Sequence, residues 1–226
     1  MNNIKLIFTA AAALLASGCV TTPPSHDYSN FREANPYSIL VLPPINNSPE
    51  VIAGYSVMSQ ITAPIAEAGF YVFPVALVDQ TFKSNGITVA NDAQAVPIEK
   101  LREIFGADAA MYITIEEYGT SYVIISSETR VTASAQLIDL RDGKVLWEGR
   151  GTASSAENRG NSGGGLVGML VEAAVSQIVE TVSDAGFDVS AMTTNRMLSS
   201  ESYNGLLYGP RSPKHGQPAP SEKQAK

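Results

Sequence analysis

The chain of 226 residues carries a single cysteine, Cys19, and that fact sets the terms on which it can fold. A lone thiol forms no intramolecular disulfide, so the fold rests on buried apolar side chains rather than on a covalent framework. Cys19 also sits at a boundary. It closes the run Leu14-Leu15-Ala16-Ser17-Gly18, which follows Lys5 and an apolar stretch from Leu6 to Ala16. A positive residue, a short apolar segment and a small-residue end are the organisation of an export signal. A membrane span needs about 20 apolar residues, and this stretch is too short for one. Residues 1–18 therefore read as a signal peptide, and the folding unit begins after it.

A thiol placed directly behind such a run resembles the acylation site of bacterial lipoproteins. Cys19 then becomes the first mature residue and carries the lipid, palmitate among its chains. The alternative is a chance cysteine behind an ordinary secretory signal. Each buried acyl methylene contributes about 0.8 kcal/mol, and two chains suffice for stable anchoring. Val20 rather than Asp follows the cysteine, which resembles the Gram-negative sorting signal for the cell outer membrane. The domain is then expected at the periplasmic face, with surface exposure possible. A net charge of -7, with 22 acidic against 15 basic residues, speaks against nucleic acid as a partner.

Val20 to Pro36 has no apolar period and reads, as residues 19–36, as a flexible tether. Tyr37 to Leu42 is a continuous apolar run closed by Pro43-Pro44, the pattern of a buried strand ending in a rigid turn. Ser48-Pro49-Glu50 offers the start of a helix over about Pro49 to Ala68, with Met58, Ile61, Ile65 and Ala68 as its core stripe, a kink at Pro64 and a stop at Gly69. A strand over Phe70 to Phe73, a helix from Pro74 to Asn85-Gly86, a polar loop over Ile87 to Val96 and a short helix over Pro97 to Gly106 follow. From Ala109 the period becomes two. Met111, Ile113 and Ile115 alternate with Tyr112, Thr114 and Glu116, which predicts a half-buried strand. Tyr122 to Leu140 reads as a long strand and Lys144 to Ser154 as its hairpin partner, turned by Arg141-Asp142-Gly143, with Val145 and Trp147 on one face. Leu166 to Ser183 has the longest helical stripe. The expectation is an α/β (α+β) single domain over residues 37–186 in two or three layers. Its mixed five-stranded sheet has the order β-α-β-α-α-β-β-β-α. A docking segment at 187–210 and a disordered tail at 211–226 complete the chain.

Chemistry-bearing constellations are sparse. The two histidines, His26 and His215, lie in Pro/Ser-rich segments, so the expected core offers neither a Ser-His-Asp or Cys-His pair nor an ordinary zinc site. Gly163 to Gly168 matches G-x-G-x-x-G, but it follows a hairpin and a polar loop rather than a first parallel strand, so it reads as a helix start rather than a nucleotide cradle. Glu116 and Glu117 are neighbours on a strand and point to opposite faces. Asp79 and Asp108 read as caps or solvated charges. Tyr55, Tyr71, Tyr112, Tyr118 and Tyr122 could line a binding surface or serve the fold. Val123-Ile124-Ile125 could belong to a membrane-inserting hairpin, although Glu128 and Arg130 interrupt the alternation that a lipid-facing strand requires. No cofactor, metal or catalytic residue is expected, and the only site residue is Cys19, for lipidation.

Several segments together are familiar: Ile39 to Pro44, Ala68 to Asp79, Leu101 to Ala109, Tyr118 to Tyr122 and Gly205 to Pro210. They resemble a family of small Gram-negative lipoproteins known from a neisserial genome-derived vaccine antigen, over nearly all of the mature chain. The resemblance implies a fold similar to the curli-secretion lipoprotein and to the TolB amino-terminal domain. It also implies other envelope lipoproteins of the curli type as partners and possible homo-oligomers, and it carries over no catalytic residue. The expected function is a non-catalytic assembly or interaction module of a surface or secretion complex; the alternative is a ring-forming secretion pore component.

Overall fold

The computed structural model describes residues 25–123, 126–157 and 185–224. Cys19, the Gly163 to Gly168 motif, the Leu166 to Ser183 helix and Ile124-Ile125 lie outside the described residues. In chain order the elements are α1 (Ser29–Ala34), β1 (Ser38–Val41), β2 (Ile45–Asn46), α2 (Ala53–Glu67), β3 (Tyr71–Val72), α3 (Val75–Ser84), α4 (Ala90–Gln94) and α5 (Ile98–Phe105). They continue with β4 (Ala109–Val123), β5 (Ser126–Asp139), β6 (Val145–Ser154), α6 (Ala185–Leu198) and α7 (Pro220–Gln224).

The sheet is mixed, in the order β3-β1-β4-β5-β6, with β1 parallel to both β3 and β4 and the strands β4, β5 and β6 antiparallel. It has six strands rather than the five expected, because the chain resumes pairing after Pro43-Pro44. Proline has no N–H to give a ladder. The interruption therefore splits one edge in two: Ile39 to Val41 lie along Ala109 to Met111, and Ile45-Asn46 along Thr114-Ile115. Gln94 bridges the gap, donating to the Pro43 carbonyl at 2.9 Å and the Ile113 carbonyl at 2.8 Å.

All four residues of β1 are buried, as its unbroken apolar run requires, because helices cover both of its faces. Ile39 and Val41 join Val57, Ile61 and Ile65 of α2, together with Met111, Leu137 and Trp147, on one side. Leu40 and Leu42 meet Val78, Phe82 and Leu101 on the other. The domain has three layers there and two at β5 and β6, where, among the described helices, α1 and α6 pack on the sheet.

Several boundaries differ from the expectation. α2 begins at Ala53, and Ser48 does not cap it; its hydroxyl instead donates to Asn46 Oδ1 at 2.7 Å. The strand expected from Tyr122 is two strands, β4 running to Val123 and β5 starting at Ser126, paired with each other along their length. The Arg141-Asp142-Gly143 turn is real, but only Gly143 has positive φ, at 77°, and the loop closes through Gly143 N–H to the Asp139 carbonyl. A register shift at Leu137/Ile138 breaks the alternation of β6, so Leu146 and Trp147 are both buried while Val145 is exposed.

The largest correction concerns the termini. Residues from Ser25 onward are not tether. Tyr28 and Phe31 are buried in the core beside Phe70, and the Tyr28 hydroxyl donates to the Gly205 carbonyl at 2.6 Å. Residues after Gly186 form α6, and the segment expected to be disordered from Arg211 packs on the α2–β3 turn. Gly209 N–H donates to the Ala68 carbonyl at 2.8 Å and Arg211 N–H to the Gly69 carbonyl at 3.1 Å. A Cβ on Gly69 would come 2.6 Å from Ser212 N, so this contact requires glycine as much as its φ of +99° does. Arg32 and Glu222 pair at 2.6 Å, tying α1 to α7.

Candidate functional site

Where α3, α4 and α5 end, one face of the β4–β6 sheet is open among the described residues. A cavity of about 630 Å³ lies on it, lined by Gln94 of α4 and by Tyr112, Thr114, Ser134, Gln136, Glu148 and Arg150. Every second residue of three neighbouring strands reaches this face, which is the polar half of the alternation read in β4. The side chains are held by one another. Gln136 Nε2 donates to Glu148 Oε1 at 2.6 Å, and Arg150 forks onto Glu116 at 3.0 and 2.6 Å. The Arg150 guanidinium holds the Glu116 carboxyl below the usual glutamate range, and burial pushes the Tyr112 phenol up.

Glu116 and Glu117 are not on opposite faces. A bulge between Ile115 and Glu117 leaves Glu116 without a directly opposed residue, so both carboxylates are exposed and the inward parity passes from Ile115 to Tyr118. Glu116 pairs with Arg150, and Glu117 lies 4.0 Å from Arg130. Tyr118 is buried and donates to Ser56 Oγ at 3.0 Å, which makes it a packing residue. Tyr55 and Tyr71 are exposed on other faces; the Tyr55 hydroxyl accepts from Lys83 at 2.9 Å. Asp79 pairs with the same Lys83 at 2.5 Å, and this bond, helped by Tyr55, pushes the lysine up to about 12. Asp108 caps the start of β1, accepting from the Tyr37 and Ser38 N–H groups at 3.0 Å each. The backbone of Tyr122 and Val123 lies in β4, across from Ser127 and Ser126.

The histidines stand on the terminal segments, as expected, but those segments are folded. His26 packs edge-on to Tyr28 at 4.8 Å, and His215 Nδ1 lies 3.0 Å from the Tyr208 carbonyl. Among the described residues, no three His, Cys, Asp or Glu side chains converge as a metal site, and no helix is long and apolar enough to cross a membrane. The open face offers paired charges, amides and hydroxyls, chemistry suited to binding by hydrogen bonds. Sequence reading found Tyr112, Thr114 and Glu116 on one wet face. It missed Gln136, Glu148 and Arg150 because their register depends on the strand pairing.

Against known proteins, a family model described as "Putative lipoprotein GNA1162-like" matches residues 26–211. A lipoprotein of Neisseria meningitidis serogroup B, NMB1124/NMB1162, is 50% identical over 207 residues, covering 91% of this chain and 95% of that protein. The crystal structure of lipoprotein GNA1162 from Neisseria meningitidis is 52% identical, with a TM-score of 0.52 over 64% of this chain and 99% of that one. A PelC dodecamer from Paraburkholderia phytofirmans is 17% identical, with a TM-score of 0.42 over 75% of this chain and 90% of that one.

Proposed function

The chain belongs to the GNA1162-like lipoprotein family, and from that premise we propose that it is a non-catalytic interaction module, held at the outer membrane by lipid on Cys19 and facing the periplasm. The observation that carries this reading is the open β4–β6 face. Its side chains already bond to one another, Arg150 in an ion pair with Glu116 and Gln136 donating to Glu148, so it presents a broad, pre-ordered polar surface rather than an activated nucleophile or base. Such surfaces recognise partners by complementarity. Other envelope lipoproteins are the partners expected from the family resemblance.

The anchor and the face are tested together. Wild-type cells should incorporate labelled palmitate into the chain and retain it in the outer-membrane fraction, whereas Cys19→Ser should lose both label and membrane association while melting as the wild type does. Uptake of no label by the wild type overturns the anchor. Chemical cross-linking of intact cells followed by identification of the adducts reads the face. Adducts at Thr114, Gln136 or Arg150 replaced one at a time by a photoreactive residue support the module, and their absence at all three counts against it.

A further inference from the structure

The C-terminal end of α2 meets the segment that follows α6, and a cavity of about 310 Å³ lies between them. Its walls are polar and carry both signs of charge. From α2 come Glu67 and the helix end itself, whose last turn holds no basic residue, so nothing within the helix offsets the partial negative charge of its last carbonyls. From the later segment come Glu201, Tyr208 and Lys214, bonded to one another. The Lys214 ammonium donates to Glu201 Oε1 at 2.7 Å and to the Tyr208 hydroxyl at 3.1 Å, and that hydroxyl donates to Glu201. An ammonium has three protons to give, and two are used here. Glu201 is thereby neutralised, whereas Glu67 is exposed and has no described cation as its partner.

Three serines add hydroxyls to the same walls. Ser199 Oγ accepts from the Glu201 N–H at 3.3 Å and Ser212 Oγ from the Lys214 N–H at 3.2 Å, and as acceptors both keep their protons to give. Ser200 is 7% exposed, and its Oγ has no hydrogen-bond partner. Native structures leave few buried hydroxyls in that condition, because each forfeits the bonds it would make with water. This one turns about a single side-chain bond, so it can serve a molecule in the adjoining cavity without backbone movement.

We propose that the cavity binds a small zwitterion, a free α-amino acid or a dipeptide. Charge selects the class. A simple anion would face Glu67 and the negative end of α2. A simple cation would leave the spare Lys214 proton and the serine hydroxyls without an acceptor. A molecule with an ammonium and a carboxylate a few bonds apart satisfies both sets, its ammonium toward Glu67 and the helix end, its carboxylate toward Lys214 and the hydroxyls. Size selects within the class, since 310 Å³ stands at the small end of ligand sites, which begin at about 300 Å³. Such a ligand touches α2 and the later segment at once, so it fastens the C-terminal part of the chain to the helix.

Titration calorimetry of the full-length acylated chain in detergent micelles tests this, with the standard α-amino acids and dialanine as probes. At least one probe should bind with a Kd of about 1 mM or tighter and should raise the melting temperature. Its N-acetylated and C-amidated forms each lack one charge and should bind roughly tenfold more weakly or worse. Glu67→Gln should weaken the free probe by a similar factor yet leave the acetylated one nearly unchanged, because only the free probe has an ammonium to lose. Ser200→Ala should also weaken binding, while the variant alone melts at or above the wild-type temperature. The proposal is overturned if no probe binds at about 10 mM, if the blocked forms bind as well as the free one, or if both variants bind as the wild type does. A Ser200→Ala chain that melts lower by itself would show that this hydroxyl serves the fold, and it would refute the assignment of Ser200 to the ligand.

Discussion

The two faces of β5 and β6 are made from alternate residues of the same strands, yet they obey opposite rules. Toward α6 the strands show Ala133, Ala135, Gly149, Gly151 and Ala153, and the helix comes so close that a Cβ on Gly151 would lie 2.7 Å from the Thr193 carbonyl oxygen. The larger side chains on that side are Val131, Leu137 and Trp147; Trp147 is fully buried and donates from Nε1 to the Asn204 carbonyl at 2.8 Å. Toward solvent the same strands show Ser134, Gln136, Glu148 and Arg150 around an open cavity. Stability lives on the covered face, where close packing leaves no room for change. The open face keeps its polar groups accessible because little among the described residues packs against it.

Four measurements can break or sharpen this contrast. Trp147→Ala should cost about 3–5 kcal/mol in urea unfolding, because the gap it leaves is walled by strands that cannot collapse and the Asn204 carbonyl loses its donor. Gly151→Ala, the addition of one methyl group, should still cost about 1–3 kcal/mol by forcing α6 outward from Thr193 and Met197. On the open face the effects should be small. Arg150 lowers the folded-state pKa of Glu116, so the contribution of that pair is complete above the unfolded value of about 4.3 and is lost as pH falls through the lower folded value. Both groups are partly solvated, and Glu116→Gln should remove less than about 1 kcal/mol at neutral pH while flattening the stability profile below pH ~5. Thr114→Ala should shift stability by no more than about 0.5 kcal/mol. A large loss there would mean that the open face also carries the fold.

What could be read from the sequence was whatever announces itself through apolar spacing. β1 reads as a doubly buried strand because Ile39 to Leu42 is unbroken, and the stripe of α2 at Met58, Ile61 and Ile65 is the observed one. α6 was illegible for the opposite reason. Its buried side includes Ser190, Thr193 and Thr194, whose hydroxyls bond to carbonyls a turn earlier, at Gly186, Val189 and Ser190. A helix that packs through satisfied hydroxyls looks polar on paper. The C-terminal segment escaped for a related reason, since it is held by backbone bonds to Ala68 and Gly69 and by ion pairs such as Lys214 with Glu201, none of which leaves a period. Lys214 is pushed up to about 12, chiefly by that carboxylate. The bulges at Glu116 and Leu146 changed which residues face outward, and a bulge has no signature in composition. The candidate site was half legible: the β4 contribution followed from alternation, whereas Glu148 and Arg150 needed the pairing register.

The docking of α1 alters how far the domain can stray from the bilayer. A free tether running to Pro36 would reach about 60 Å when fully stretched. With the chain fastened at Tyr28 to Gly205 and at Arg32 to Glu222, Val20 to Asp27 lie between the proposed lipid on Cys19 and the first of these contacts, a stretch that spans no more than about 30 Å. With the lipid placed on Cys19 as proposed, the domain would stay within that distance of the membrane. Partners must come to it there, and any pull on the anchor is delivered first to the clasp between the two ends of the chain, leaving the sheet unloaded until that clasp gives.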